Sequence, residues 1–446
     1  MKKVIAHRSA TVIRFENAGC IIWSPNENKY FLLEQSFRNL FYDAIINKGL
    51  SVLNAADKIP ALRNALEHLG VDDFSMVLDN TNRSKRPMFA PLECYFDFTT
   101  RCNMHCRDCY NNKVLGNATM GNEDIVRIIT DLWNVGLRRI FVAGGEPTLE
   151  MEGLMTYINA AVDLGMATSV ATNGTLLTDD ICRYLLSKPL FDISVSIDGW
   201  DEQTYGYRRT AHMFQKATEG VRRLVEIKKE YGSQTEICVK PIVDRYQTVE
   251  FFENMIALTI ELGADKVKFA NPERSLNHPR GHYGKDVEKY YDNIHLIQSL
   301  QAKYKDKIAV TNGTNPCVGF GLVGVDGMKG CIGGQELIAI NGDGRITPCL
   351  MNHKILGNYY DNNSMIHFFE TSSELNEFID QIQYPQCYDC MLYPRCRGGC
   401  QVRKIVECGE MAGRDPICPI THKMSLDKLS VINKELLMPI RVVHSL

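Results

Sequence analysis

The chain has 446 residues, 45% of them hydrophobic, and a formal charge of −3 at pH 7. This length predicts two or three domains, and the nearly balanced charge argues against a nucleic-acid-binding protein. No apolar run approaches the roughly 18 residues of a membrane span, and residues 1–13 lack a signal-peptide core, so we expect a soluble, cytoplasmic protein without disulfides.

Residues 1–78 are predicted to form a small domain of three short strands followed by amphipathic helices. The strands are expected at residues 10–15, 20–24 and 30–33, and the helices at residues 35–47 and 59–69. Residues 79–89 follow as a polar segment that contains a proline, which is typical of a linker.

Residues 90–310 alternate β-rich apolar runs with amphipathic helical patterns. The strands are predicted at residues 93–99, 138–143, 167–171, 191–197, 236–242 and 266–270. Between them, helices are predicted at residues 122–134, 151–164, 178–187, 214–230 and 249–262. Six β/α repeats indicate an α/β fold with a partial (β/α)6 barrel of the TIM type, whose functional groups lie on the loops after the strands.

Beyond the barrel, residues 286–305 form a long helical pattern that leads into a cysteine-rich region, residues 311–424. The tail, residues 425–446, is expected to carry one helix over residues 425–438.

Three cysteines, Cys102, Cys106 and Cys109, lie within eight residues on the loop after the first predicted barrel strand. A loop of this kind can hold a [4Fe–4S] cluster through three thiolates and leave one iron open for another molecule. A structural zinc site is the alternative, but it needs four protein ligands, and His105 would have to fit between two of the cysteines on a tight loop.

The C-x3-C-x2-C spacing resembles the radical S-adenosylmethionine (SAM) enzymes. The resemblance implies that SAM chelates the open iron and that one electron breaks its carbon–sulfur bond, which yields a 5′-deoxyadenosyl radical. In this superfamily the residue before the third cysteine is often an aromatic one that contacts adenine. Here that residue is Asp108, and Tyr110 is a candidate replacement.

The loop after the second barrel strand, Gly144-Gly145-Glu146-Pro147, matches the GGEP motif of the same superfamily. The match implies contact with the amino group of SAM, although the same four residues taken alone are more typical of a simple turn.

Polar residues also follow the third and fourth barrel strands. Asn173, Ser196 and Asp198 are candidates for binding the ribose and the methionine part of SAM, although Asp198 is equally suited to cap the next helix. Either Arg209 or Arg208, or Lys240 in the fifth strand, is a candidate partner for the SAM carboxylate.

A second cysteine group resembles the seven-cysteine SPASM domain that follows many radical SAM barrels. Its members are Cys331, Cys349, Cys387, Cys390, Cys396, Cys400 and Cys418. Seven thiolates and an eighth, for which Cys317 is the candidate, would ligate two further [4Fe–4S] clusters and bring the total to three. If Cys317 is instead a free thiol, the nearer of these clusters has an open iron.

The resemblance assigns Cys387, Cys390, Cys396 and Cys418 to a distal cluster. It assigns Cys331, Cys349 and Cys400 to a cluster nearer the barrel.

Strands followed by helices in residues 1–78 resemble the winged-helix-like domain that recognises the leader of a precursor peptide. The alternative is a cap that only shields the barrel. The combined pattern predicts a maturase of ribosomally made peptides that installs a thioether and receives electrons from a flavodoxin or ferredoxin.

Four other functions remain open. Three use the same scaffold for chemistry: carbon–carbon crosslinking, ether crosslinking and epimerisation. The fourth is a non-catalytic iron–sulfur protein that binds peptides. Leu350 occupies the position of an acidic base in the related sulfatase-maturing enzymes, which argues against alcohol oxidation.

Overall fold

The computed structural model describes residues 11–418, except for 18, 25–28, 34, 58–62, 64–65, 68, 72–74, 108, 112–115, 245, 271–285, 313–330, 383 and 391–392. The predicted helix of the tail and Cys317 lie outside these residues. Most of the helix predicted at residues 59–69 does too.

The N-terminal part contains a four-stranded sheet with the strand order β3-β2-β1-β4. Its elements are β1 (Val12–Glu16), β2 (Gly19–Ser24), β3 (Lys29–Leu33), α1 (Gln35–Tyr42), α2 (Val52–Ala56) and β4 (Met76–Asp79). The three predicted strands are present, and a π-helical stretch, Asp43–Asn47, continues α1. β4 was not predicted, because it is short, only partly buried and pairs in parallel with the distant β1.

The six predicted barrel strands are present and parallel, each joined to the next by helical connections. The strands are β5 (Glu93–Asp97), β6 (Arg139–Val142), β7 (Ala167–Thr172), β8 (Asp192–Val195), β9 (Glu236–Val239) and β10 (Lys266–Phe269). The helices are α3 (Asn122–Asn134), α4 (Met151–Asp163), α5 (Asp179–Leu186), α6 (Glu202–Tyr205), α7 (Phe214–Tyr231), α8 (Val249–Glu261) and α9 (Val287–Tyr304). The chain is therefore a mixed α/β protein, as the sequence predicts.

Two further strands extend the parallel sheet beyond the predicted six. β11 (Ala309–Asn312) pairs with β10, and β12 (Leu337–Asn341) pairs with β5 at the opposite edge. β12 continues antiparallel into β13 (Arg345–Thr347) and β14 (Gly357–Asn358). Cys331 and Cys349, the first two members of the second cysteine group, therefore flank a strand that pairs directly with β5, the strand that precedes the first cysteine group.

The C-terminal region of the described chain is mainly helical. Its helices are α10 (Tyr359–Asn362), α11 (Met365–Thr371), α12 (Ser373–Gln381), α13 (Tyr393–Cys396) and α14 (Gln401–Cys408). Apolar side chains of α11 and α12, including Phe369 and Phe378, join the same buried core as the barrel strands.

The N-terminal sheet lies against the amino ends of the barrel strands. The Tyr30 hydroxyl donates to the carbonyl oxygen of Leu92 at 2.7 Å and accepts from the backbone N–H of Arg138 at 2.8 Å. Leu92 and Arg138 directly precede β5 and β6. This sheet is therefore on the side of the barrel opposite to the loops that carry the cysteines.

The segment predicted to be a linker is packed between the two sheets. The fully buried Arg14 guanidinium donates to the carbonyl oxygens of Ala90 and Pro91, and it pairs with Glu16 at 2.6 Å. Glu16 in turn accepts from the Phe89 backbone N–H at 2.8 Å. Burial of both partners and a full set of hydrogen bonds indicate a defined contact between the two parts.

Candidate active site

Cys102, Cys106 and Cys109 lie on the loop that follows β5. All three are half-buried and line one cavity of about 330 Å³ at the carboxyl ends of the barrel strands. Burial raises the pKa of the Cys102 and Cys109 thiols to about 11, so a bound cation is needed to deprotonate them at neutral pH. This donor set fits an iron–sulfur cluster.

A single metal ion would require a tighter arrangement. In the part of the chain that the structure describes, no three Cys, His, Asp or Glu side chains converge closely enough to hold one ion. The thiolate ligands of a cluster bind separate irons, so they do not need to converge on one point.

Gly144 and Gly145 let the loop after β6 pack against the cysteine loop. A Cβ atom on Gly144 would lie 2.0 Å from Asp97 Oδ2, and one on Gly145 would lie 2.4 Å from the Arg101 carbonyl oxygen. Gly145 also has a φ of 61°, in the left-handed region that favours glycine. Because the Glu146 backbone N–H donates to the same Arg101 carbonyl at 2.7 Å, the two loops are held together.

The Glu146 carboxylate is satisfied inside the protein. It accepts from the Thr148 and Thr172 hydroxyls, each at 2.6 Å, and from the Asn173 backbone N–H at 2.7 Å. Burial raises the pKa of Glu146, and these hydrogen bonds act in the opposite direction. The side chain therefore ties the loops after β6 and β7 together.

Asn173 and Ser196 lie directly after β7 and β8, and both line the cavity. The Asn173 amide donates to Asn103 Oδ1 at 2.8 Å and accepts from the Thr175 hydroxyl at 2.7 Å. Asn103 stands between the first two cysteines, so this contact orients the cysteine loop. The sequence analysis did not single out Asn103, because its partner is 70 residues away.

The structure distinguishes between the two candidate arginines. Arg208 pairs with the buried Asp244, while the Arg209 guanidinium approaches Cys106 Sγ at 3.7 Å and pairs with Asp198 at 2.5 Å. Asp198 also accepts from the Ile242 backbone N–H at 2.7 Å, so it is not a helix cap; Asp201 caps α6. Arg209 is thus the arginine that lies beside the cysteine loop.

Asp97, at the end of β5, is a buried carboxylate that the sequence analysis missed. It accepts from the Ala143 backbone N–H at 2.9 Å and from the Tyr110 hydroxyl at 3.5 Å. Burial raises the pKa of Asp97 to about 6, against the opposing effect of these hydrogen bonds. Tyr110 lines the cavity with its hydroxyl directed at Asp97, and Asp108 lies outside the described residues.

Residues 96–256 match the family described as the Radical SAM superfamily. This chain is a radical SAM enzyme. Its fold therefore implies SAM and a [4Fe–4S] cluster as cofactors. The matched range contains the three cysteines, the GGEP motif and the residues that follow β7 and β8.

Several characterised proteins are similar to this radical SAM enzyme along most of their length. The PqqA peptide cyclase of Bradyrhizobium diazoefficiens is 22% identical, with 77% of this chain and 90% of that protein covered. The AdoMet-dependent heme synthase of Methanosarcina barkeri is 23% identical, with 74% and 96% covered. The crystal structure of Streptococcus suis SuiB bound to its precursor peptide SuiA matches with a TM-score of 0.70 at 16% identity, covering 92% of this chain and 99% of SuiB.

The second cysteine group of this radical SAM enzyme is placed beside the first. Cys349, Leu350 and Met351 line the same cavity as Cys102 and Cys106. Burial is the main cause that raises the pKa of Cys349, and the neighbouring Cys331 and Cys400 add to it. These three thiols are therefore electrostatic neighbours.

The other four cysteines of this group form a second set of neighbours. Burial is the main cause that raises the pKa of Cys387 and of Cys396. Cys418 adds to both shifts, Cys390 adds to that of Cys387, and Cys387 adds to that of Cys396. Asp415 supports both sets, because it accepts from the Cys400 backbone N–H at 2.7 Å and its own carbonyl accepts from the Cys418 N–H at 2.9 Å.

Lys404 is a fully buried lysine among these thiols. Its Nζ lies 3.1 Å from the centroid of the Tyr384 ring and has no hydrogen-bond partner among the residues the structure describes. Burial lowers the pKa of Lys404, while nearby Asp415, Cys387, Cys396 and Cys331 would raise it as anions. A buried ammonium group without an acceptor is costly, so its surroundings fit an anionic iron–sulfur group.

In the described part of the chain, no helix is long and apolar enough to cross a membrane.

Proposed function

We propose that this radical SAM enzyme is a peptide maturase that installs a thioether in a ribosomally made precursor peptide. The observation that carries the proposal is the N-terminal sheet joined to the radical SAM barrel. The match to SuiB leaves out 8% of this chain, about 36 residues, whereas the sheet and its helices span residues 12–79. Because fewer residues are left out than this region contains, the match extends into the N-terminal part. SuiB itself was crystallised with its precursor peptide.

Peptide recognition by the N-terminal sheet is supported by its open edge. β3 is the terminal strand of the sheet, and no further strand pairs with it among the described residues. An extended leader peptide can add to such an edge through main-chain hydrogen bonds. Tyr30 links this same strand to the amino ends of β5 and β6. A leader bound there would be tethered to the barrel.

For the first cluster we propose Cys102, Cys106 and Cys109 as ligands. The assignment of SAM contacts is supported by the cavity lining and by Arg209, whose positive charge suits the SAM carboxylate. Proposed contacts to the rest of SAM come from the GGEP loop, Tyr110, Asn173, Ser196 and Asp198. When bound, SAM and the reduced cluster supply a 5′-deoxyadenosyl radical that removes a hydrogen atom from the substrate.

For two auxiliary clusters we propose the ligand sets that the sequence predicts. The electrostatic grouping of the seven cysteines and the buried Lys404 ammonium support this proposal. Cys317 remains the proposed eighth ligand, and it lies outside the described residues.

The proposed thioether reaction balances as follows. A peptide carbon loses a hydrogen atom to the radical, and a peptide cysteine loses a proton as its sulfur bonds to that carbon. One electron is left over, and the auxiliary clusters are its proposed acceptor. Leu350 lines the cavity and has no titratable group. This position therefore supplies no base for the oxidation of an alcohol.

The test uses the reconstituted, reduced enzyme with SAM, a flavodoxin or chemical reductant, and the cysteine-bearing peptide encoded beside its gene. We expect 5′-deoxyadenosine and a peptide that has lost two hydrogen atoms and one free thiol. Loss of the two hydrogen atoms with the thiol retained would support a carbon–carbon or ether crosslink. The similarity to a peptide cyclase favours this alternative. An unchanged mass with an inverted residue would support epimerisation. Absence of 5′-deoxyadenosine would contradict every enzymatic version.

A further inference from the structure

Two lysines stand side by side inside the barrel at the carboxyl ends of β9 and β10. Cys238 pairs with Lys266 and Val239 with Val267, and Ile242 bridges to Ala270 in the same register. This register places Lys240 beside Lys268. Both side chains are half-buried and line the same cavity as the cysteine loop.

Most of the other charged groups that line this cavity have ion-pair partners. Arg139 pairs with Glu93 at 2.7 Å, Lys266 with Glu236 at 2.5 Å, and Arg209 with Asp198. Asp192 accepts a hydrogen bond from Ser194 at 2.7 Å. None of these carboxylates forms an ion pair with Lys240 or Lys268.

Neither Lys240 nor Lys268 hydrogen-bonds or forms an ion pair through its ammonium group within the described ranges of the chain. Asp192 and Asp198 favour the charged form of Lys240 only at longer range. Burial, with a further contribution from Lys268, lowers the pKa of Lys240 to about 8.

Like charges on adjacent strands destabilise a sheet, and a half-buried ammonium group loses hydration. An anion bound between the two lysines would offset both effects. A carboxylate suits the pair because its two oxygens can each accept from one ammonium group.

The carboxylate can come from SAM or from the substrate. Arg209, which lies 3.7 Å from Cys106 Sγ, is the cation beside the proposed cluster and is better placed for SAM. We propose that Lys240 and Lys268 form a carboxylate-binding site for an Asp or Glu side chain of the substrate peptide. This inference rests on the proposed function, and it predicts that an acidic residue lies close to the modified position.

The test measures binding of N-acetyl-glutamate amide to the reconstituted enzyme with SAM bound, and uses N-acetyl-glutamine amide as the uncharged comparison. We expect the glutamate compound to bind and the glutamine compound not to bind. In Lys240→Met/Lys268→Met the glutamate affinity should fall by about tenfold or more, because two charge-assisted hydrogen bonds are lost. Lys240→Arg/Lys268→Arg keeps both charges and should retain binding.

Lys266→Met is the matched control, since it removes one positive charge from the same cavity at a lysine that already has a partner. It should leave glutamate binding within about twofold of wild type, as expected if Lys266 does not contact the ligand. Iron content and melting temperature establish that each variant is folded and loaded. Equal losses in the control and the double variant would overturn the proposal in favour of general charge attraction.

SAM affinity and peptide-independent formation of 5′-deoxyadenosine should be unchanged in the double methionine variant. If SAM affinity falls instead, the lysines serve the carboxylate of SAM and the proposal is wrong. Failure of wild type to bind the glutamate compound also overturns it. By contrast, normal glutamate binding without any peptide modification would count against the peptide maturase function and leave the carboxylate site standing.

Discussion

Replacing Gly144 by alanine tests whether the close approach of Gly144 to Asp97 holds the two SAM-site loops together. The new Cβ would lie 2.0 Å from Asp97 Oδ2 and 2.3 Å from its Cγ, far inside van der Waals contact. Asp97 cannot swing aside freely, because it is buried and accepts the Ala143 N–H. Overpacking of this kind destabilises a fold by about 1–3 kcal/mol.

The second half of the experiment removes the obstacle. Asp97→Ala removes the acceptor of the Ala143 N–H, and its own effect on stability is the reference for the double variant. In the Asp97→Ala background, however, Gly144→Ala should add little, so the two changes are coupled by about 1 kcal/mol or more. Anaerobic denaturant unfolding measures the free energies, and equilibrium dialysis measures SAM binding.

Gly145→Ala is the matched control. Its Cβ would meet the Arg101 carbonyl at 2.4 Å, and its φ of 61° disfavours any side chain, so removal of Asp97 should not rescue it. The steric reasoning is refuted if Gly144→Ala matches wild type, or if its effect is the same with and without Asp97.

Four further predictions address charges. Burial raises the pKa of Asp97 from an ordinary 3.8 to about 6, so its stabilising contribution is present below pH 4 and is lost as the pH rises through 6. Between these pH values the free energy of unfolding of wild type, measured with denaturant, should fall by about 3 kcal/mol relative to that of Asp97→Asn. If the free energies of the two proteins change in parallel with pH, the raised pKa is contradicted. Arg209→Gln should weaken SAM binding by about tenfold in equilibrium dialysis with the iron content unchanged, and unaltered binding would exclude a role with SAM. Asp415→Asn breaks its buried pair with Arg403 and should lower stability by about 3–5 kcal/mol and reduce the iron content; full iron loading would argue against support of Cys400 and Cys418. Lys404→Met removes a positive charge near the proposed auxiliary clusters, so their midpoint potentials in an EPR-monitored titration should become more negative. Lys404→Arg keeps the charge, and its potentials should stay near those of wild type. Unchanged potentials in both variants would place Lys404 away from the clusters.

Local pattern was sufficient to predict much of the barrel. The predicted helix at residues 122–134 agrees with α3 at both ends, and all six barrel strands fall within their predicted ranges to about one residue. Alternation of short apolar runs with amphipathic helices is a property of neighbouring residues, so it can be read without knowing the fold. The same is true of cysteines spaced three and two residues apart, which share one loop.

Long-range pairing was not predictable in this way. β4 reaches its place only by pairing with β1, and β12 joins the barrel sheet across more than 200 residues of chain. The polar segment before the barrel reads as a linker, yet Phe89 at its end is buried and donates its backbone N–H to Glu16. Such contacts depend on partners that no local periodicity identifies.

The radical SAM family could be recognised without the fold, because the cysteine loop and the GGEP motif are patterns of closely spaced residues. The folded arrangement, by contrast, sets which charged groups remain available to bind a ligand. It committed Glu146 to neighbouring loops, separated Arg209 from Arg208, and brought Lys268 beside Lys240. A charged side chain can bind a ligand only if folding leaves it without a protein partner, and the residues that could pair with it come from distant strands.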